Sequence, residues 1–230
     1  MRIRTLINVL LILGGVLCVI STLKEWTEVE FYVKPTIVPM LFILYWFNTR
    51  KVDFVFLIIL LLCFIGDVFT LLEFDDSFLY VLLSYTVAYF FMYHYGLKEF
   101  FPISLSLKEV TVFILFSLIW TYTIFEIFFA IQNKIGDLKI LSMVYCINMY
   151  MLFGLAFLKF MNKRTKFTFW FLIAVFSFVI CDAATALNKF NESNFYFQLL
   201  NAIFQLLAVY FLIRFRLSQE QYNFTLQDTV

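Results

Sequence analysis

Eight stretches of about 20 residues, each almost free of charge, follow one another along this 230-residue chain with short polar connections between them. They run over about 5–23, 31–47, 54–72, 78–97, 110–131, 140–160, 167–187 and 195–213. A helix rises about 1.5 Å per residue, so a run of about 20 residues spans the roughly 30 Å of hydrocarbon in a bilayer. Hydrophobic residues make up 63% of the chain and charged residues only 14%, against about 25% charged in an average soluble domain, which excludes that class. The expected fold is therefore all-α: a polytopic membrane protein built as a bundle of eight transmembrane helices.

No Ser/Gly/Pro-rich linker or shift of composition divides the chain, so residues 1–216 read as one transmembrane domain and 217–230 as a short polar C-terminal tail. Arg2, Arg4 and the first apolar run resemble a signal peptide. No small-x-small cleavage site follows, and Leu17 ahead of Cys18 does not suit lipoprotein processing, so this run is retained as a span. Pro35 and Pro39, near the start of the second run, predict a distorted first turn or a kink, because each removes a backbone donor.

Twelve of the 17 Lys and Arg residues fall on the side of the N-terminus, including Arg2, Arg4, Arg50, Lys51, Arg214 and Arg216. Only Lys24, Lys34, Lys134, Lys139 and Lys189 lie on the other. Positive charge favours the cytoplasmic side, which puts both termini there; the expected location is multi-pass in a bacterial cytoplasmic membrane. A formal net charge of +1 without a clustered basic face argues against nucleic acid as a partner. Cys18, Cys63, Cys146 and Cys181 lie in four different apolar runs without CxxC spacing, and His94 is the only histidine, so neither a disulfide framework nor a metal site is expected.

Against that apolar background, Asp67 within Phe-Ile-Gly-Asp-Val-Phe is the anomaly. Placing an ionised carboxylate in the apolar layer costs roughly 3 kcal/mol even on insertion scales, so such a group is a candidate functional residue. Counting about 1.5 Å per residue puts Asp67 roughly 21 Å along its helix and Asp182 roughly 22 Å along another that runs the same way. Two acids thus share one depth. Glu126 falls nearer the surface, where it can snorkel. Tyr145 and Asn148 lie on one face of the sixth helix, and Gln198, Asn201 and Gln205 form a polar stripe on the eighth. Tyr85, Tyr89 and Tyr93 form a stripe on the fourth that reads as packing in a chain 22% aromatic. Lys34 and Lys189 bring positive charge to the rim, as interfacial anchors or as contacts for a lipid headgroup. The sum is a polar cavity with acids inside and cations at its mouth.

Several segments carry a family resemblance in order and spacing along nearly the whole chain. They are KPTIVPMLFILYWF from Lys34, FIGDVF around Asp67, the VY ending at Tyr145 with Met151 beyond it, CDAATALNKF from Cys181, and FQLL around Gln205. Together they resemble the YhhN, or lysoplasmalogenase-like, membrane family, the run from Asp182 to Phe190 being the most specific. The resemblance implies eight spans and an ether hydrolase that splits the vinyl ether of a lysoplasmalogen into a fatty aldehyde and a glycerophospho-headgroup. By the same resemblance Lys34, Asp67, Tyr145, Asp182, Asn188, Lys189 and Gln205 occupy family motif positions. Tyr89 and Cys181 depart from it, standing where a histidine and a serine are expected.

Vinyl ether hydrolysis needs a proton delivered to the alkene carbon and water delivered to the resulting oxocarbenium ion. Two neighbouring carboxyls in an apolar site resist double ionisation, so one keeps a proton and acts as general acid while the other steadies the cation and handles the water. Asp182 is assigned the acid role and Asp67 the base role; Tyr145, Asn148 and Gln205 are placed to hold the water or the ether oxygen, and Lys34 and Lys189 to meet the phosphate. No metal or organic cofactor enters this scheme. The partners it implies are a lysophospholipid substrate and the bilayer; oligomeric state is undetermined. The alternative from a different class is a small transporter or proton-coupled channel, since intramembrane acids facing amides also suit ion relays. A retinal-binding receptor is a weaker alternative still, since no Lys lies mid-helix near the C-terminus to form a Schiff base and Lys189 sits at a helix end.

Overall fold

The computed structural model describes residues 2–24, 26–72, 76–98, 104–191 and 193–227, and among them it contains helices and no strand. There are eight α-helices: α1 (Arg2–Leu23), α2 (Thr27–Asn48), α3 (Phe54–Leu71), α4 (Ser77–Leu97), α5 (Leu107–Ile131), α6 (Lys139–Asn162), α7 (Lys166–Phe190) and α8 (Phe195–Gln227). Their starts are set by local chemistry. The Asp53 carboxylate accepts the first free amides of α3 from Val55 and Phe56, and capping boxes pair Ser106 with Glu109 on α5 and Thr165 with Thr168 on α7. Between α5 and α6 the chain turns through Gly136 at φ +61°, a conformation that costs a glycine little.

Seven of the eight helices are long and apolar enough to cross a membrane, giving the architecture of a multi-pass integral membrane protein. The exception is α4, where Tyr80, Tyr85, Tyr89, Tyr93 and Tyr95, with Ser84 and His94, dilute the aliphatic content. One face of α4 turns into the bundle and takes part of this polarity with it: Tyr85, Tyr89, Tyr95 and Ser84 are buried, together with Ala88 and Met92, while Tyr80 and His94 are exposed. Neighbouring contacts close a ring in the order α1, α2, α3, α4, α6, α7, α8 and back to α1. Helix α5 stands outside this ring, packed on α6 and α7.

Two expectations from the sequence change here. Helix α2 begins at Thr27, so Pro35 and Pro39 fall beyond its first two turns and within one continuous helix. The polar segment after Arg216 does not leave the bundle as a tail; it continues α8 to Gln227, and only 228–230 lie outside the described residues. Arg216, Gln219 and Glu220 share a helix face at i, i+3 and i+4, and that face has partners. Arg216 Nη2 meets Asp53 Oδ2 at 2.9 Å, and the Glu220 carboxylate accepts the Thr49 hydroxyl and the Arg50 amide, each at 2.8 Å. The extension thereby clamps the turn between α2 and α3.

Candidate active site

Both aspartates sit inside the helical ring, each held by two hydrogen-bond donors. Asp67 on α3 is 3% exposed, and its Oδ1 accepts from the Tyr85 hydroxyl on α4 and from Nε2 of Gln205 on α8. Asp182 on α7 is less enclosed; its Oδ2 accepts from the Tyr89 hydroxyl on α4 and from the Tyr145 hydroxyl on α6, the latter at 2.6 Å. Helix α4 is the common support. Tyr85 and Tyr89 are one turn apart, their ring centroids 6.1 Å from each other, and each donates to a different acid. Phe178 lies edge-on to both rings, at 6.3 and 5.7 Å between centroids, and separates the cluster from the rest of α7.

Gly66 explains how Asp67 reaches its phenol. A Cβ built on Gly66 would stand 2.6 Å from Cε2 of Tyr85, inside any real contact, so the missing side chain is what lets the Tyr85 ring close on α3 and reach the next residue. The Gly-Asp pair is therefore a steric requirement of this arrangement.

Of the other residues singled out from the sequence, the structure brings Tyr145 and Gln205 onto the acids and gives the rest different partners. Lys34 is buried at 6% exposure, with Nζ 3.5 Å from Glu30 Oε1 and 3.4 Å from Asn201 Oδ1. Its ammonium is held between α2 and α8 by these two groups. Asn148 donates to the Thr86 carbonyl at 3.0 Å while its own carbonyl accepts from Tyr93, which joins α6 to α4. Asn188 accepts the Asn194 amide at 3.1 Å and so fastens the turn between α7 and α8. Lys189 is exposed at the end of α7, its Nζ 4.8 Å from the centroid of the Phe78 ring. Glu126 is exposed on α5.

The residues that sequence reasoning set aside are Tyr85 and Tyr89. Their i, i+4 spacing was visible; what marks them as polar ligands and not packing is that each phenol lies opposite an acid on another helix, a relation no single-helix pattern carries. Asn201 also does more than its place in the amide stripe shows: its Nδ2 donates to Thr185 Oγ1 and, at 3.4 Å, to Cys181 Sγ, which ties α8 to the turn of α7 that bears Asp182.

A cavity of about 60 Å³ opens beside Asp182, at the end of the bundle where α4 and α6 begin and α5 and α7 end. Its walls are apolar apart from a few groups, of which the Asp182 carboxyl and the Tyr145 hydroxyl are hydrogen-bonded to each other. Asp67 is not on its wall. Chemically, the arrangement presents one carboxyl and one phenol to a small apolar chamber, with a second carboxyl buried about one α4 turn behind.

A multi-pass helical bundle that buries paired carboxylates among phenols and opens one of them to an apolar chamber defines the class of protein. The chain belongs to the YhhN family, whose family model matches residues 29–218 and so takes in both aspartates, Tyr145, Lys189 and Gln205. No curated protein and no solved structure matches the chain.

Proposed function

We propose that this protein is a membrane-embedded ether hydrolase that cleaves the vinyl ether of lysoplasmalogen-type lysophospholipids to a fatty aldehyde and a glycerophospho-headgroup. One observation carries the reading: Asp182, hydrogen-bonded to two tyrosines, is the titratable carboxyl at the wall of an otherwise apolar cavity. Family membership supports it.

Asp182 in its protonated form delivers a proton to the alkene carbon remote from the ether oxygen, leaving positive charge shared between the other alkene carbon and that oxygen. Water adds to the carbon that bears the ether oxygen and returns a proton to the Asp182 carboxylate, and the hemiacetal so formed collapses to aldehyde and glycerol hydroxyl, one water being consumed in all. Tyr145, on the same wall and bonded to Asp182, holds the attacking water. Asp67 stands off the cavity wall, so its part is electrostatic: an ionised carboxylate close by in a low-dielectric interior stabilises the developing cation without touching it. The bias of Lys and Arg supports cytoplasmic termini, and with them a reading of eight spans in a bacterial cytoplasmic membrane, the cavity facing the outer leaflet.

The test is a lipid panel of vinyl ether, alkyl ether and acyl lysophospholipids with aldehyde detection, run on wild-type protein, Asp182→Asn and Asp67→Asn. The expected result is aldehyde release from the vinyl ether alone, abolished in Asp182→Asn and reduced about 100-fold or more in Asp67→Asn, on the scale of removing one preorganised electrostatic group. Both variants should elute from size-exclusion in detergent as wild type does. Full turnover by either purified variant overturns the mechanism, and absence of aldehyde from wild type overturns the function.

A further inference from the structure

The cavity beside Asp182 has a direction. At its shallow end lie Phe78, Ile131 and Phe190, close to the helix ends; at its deep end lie Leu82, Ile124 and Met149. Phe190 is eight residues beyond Asp182 on α7, roughly 12 Å toward the surface, while Met149 is four residues beyond Tyr145 on α6, roughly 6 Å toward the midplane. Two ammonium groups lie at the shallow end: Lys189 stands over Phe78, and Lys134 donates to the Asn191 carbonyl at 2.8 Å. Cations at the surface, a carboxyl below them and an aliphatic floor below that repeat the order of groups along a lysolipid lying in that leaflet: phosphate, ether, chain.

The cavity is too small for a whole lipid, since about 60 Å³ compares with roughly 300–1,000 Å³ for a typical ligand pocket. It holds the ether and the first chain carbons, and the remainder needs a way out. Helices α4 and α5 both line the cavity, yet among the described residues α5 packs chiefly on α6 and α7 and not on α4. Where the two helices face each other the cavity is lined by aliphatic side chains only, Leu82 from α4 and Ile124 and Ile127 from α5.

We infer that the seam between α4 and α5 is a binding site for a single hydrocarbon chain, and that Ile124 and Ile127 of α5 set which chain lengths are accepted. The inference rests on the lysoplasmalogen reading for its substrate, though the chain site itself makes no use of the reaction. An ordinary diacyl lipid is disfavoured by the same geometry, since one seam leads from the carboxyl.

The experiment uses the full-length protein in detergent and in nanodiscs, with Ile124→Trp and Ile127→Trp in the seam and Ile119→Trp on the exposed face of α5 as the control. Two readouts are taken. The first is kcat/KM for lysoplasmalogens of 8 to about 18 chain carbons. The second, independent of turnover, is photocrosslinking of a single-chain lysophospholipid carrying a diazirine midway along its chain, with the labelled residues located by mass spectrometry. Each seam variant is expected to lose at least tenfold in kcat/KM for the longest chain relative to the shortest and to lose crosslinking to α4 and α5, while Ile119→Trp matches wild type in both. Parallel losses at every chain length, or crosslinks confined to lipid-facing residues such as Ile119, overturn the chain site. Crosslinking in the seam with no aldehyde from wild type upholds the site and overturns the hydrolase reading instead. Should a tryptophan variant fail to fold, Ile124→Phe is assayed in its place with the same expectation.

Discussion

Replacing Gly66 by alanine should disable the site without touching either acid. The added Cβ would lie 2.6, 2.9 and 3.2 Å from three atoms of the Tyr85 ring, and ordinary contact begins near 3.4 Å, so the ring must retreat by about 0.8 Å. It has little room to do so. Tyr85 is 6% exposed, with Phe178 edge-on at 6.3 Å and Tyr89 at 6.1 Å between centroids. Overpacking of this kind costs about 1–3 kcal/mol. A displaced ring also withdraws the phenol from Asp67, and a hydrogen bond to a charged group contributes about 1.5–3 kcal/mol, equivalent to roughly 10- to 100-fold in rate if lost from the transition state. Thermal unfolding in detergent and single-turnover aldehyde release measure the two effects separately. The double variant Gly66→Ala/Tyr85→Leu supplies the decisive comparison. If the alanine acts through the Tyr85 ring, adding it to Tyr85→Leu should cost no more than about 0.5 kcal/mol, the error of additivity for independent sites. Wild-type turnover and stability in Gly66→Ala, or an undiminished penalty in the Tyr85→Leu background, would refute the steric argument.

Three further outcomes follow from the same geometry. Tyr89→Phe and Tyr145→Phe each remove one donor to Asp182 and should each slow aldehyde release about 10- to 100-fold, with a combined loss smaller than the product, as read in a double-mutant cycle. Lys34→Met strands Glu30 and Asn201 and should lower stability by about 1–3 kcal/mol in denaturation; KM for lipids with and without a phosphate should move together, because this ammonium is engaged inside the bundle. Glu220→Ala releases the turn between α2 and α3 and should cost about 1 kcal/mol in thermal unfolding while leaving turnover at the wild-type level.

Much of the fold was legible along the chain. An apolar run of about 20 residues has one stable form in lipid, so the eight helices could be bounded from hydrophobicity and charge alone, and they fall within a few residues of the observed elements. The boundary that was misplaced is instructive. Residues 217–227 are polar and read as a tail, but Glu220 is bound to Thr49 and Arg50, far away in sequence and invisible to any local pattern. Helix α4 shows the converse: its tyrosines weaken it as a span by composition, and three of them, Tyr85, Tyr89 and Tyr95, are buried against neighbouring helices.

For the site, the sequence by itself determined that two carboxylates lie at lipid depth, because an acid in an apolar run is costly wherever the helix packs. It also marked Tyr145 and Gln205 as polar groups at comparable levels. Only the tertiary structure decided what each polar group faces. Helical rotation and neighbour choice turn Lys34 and Asn148 toward structural partners, aim Tyr85 and Tyr89 at separate acids, and leave Asp182 at the cavity wall while Asp67 is enclosed. Depth is a property of one helix and is written in one segment. Facing is a property of pairs of helices, and it exists only once they have packed.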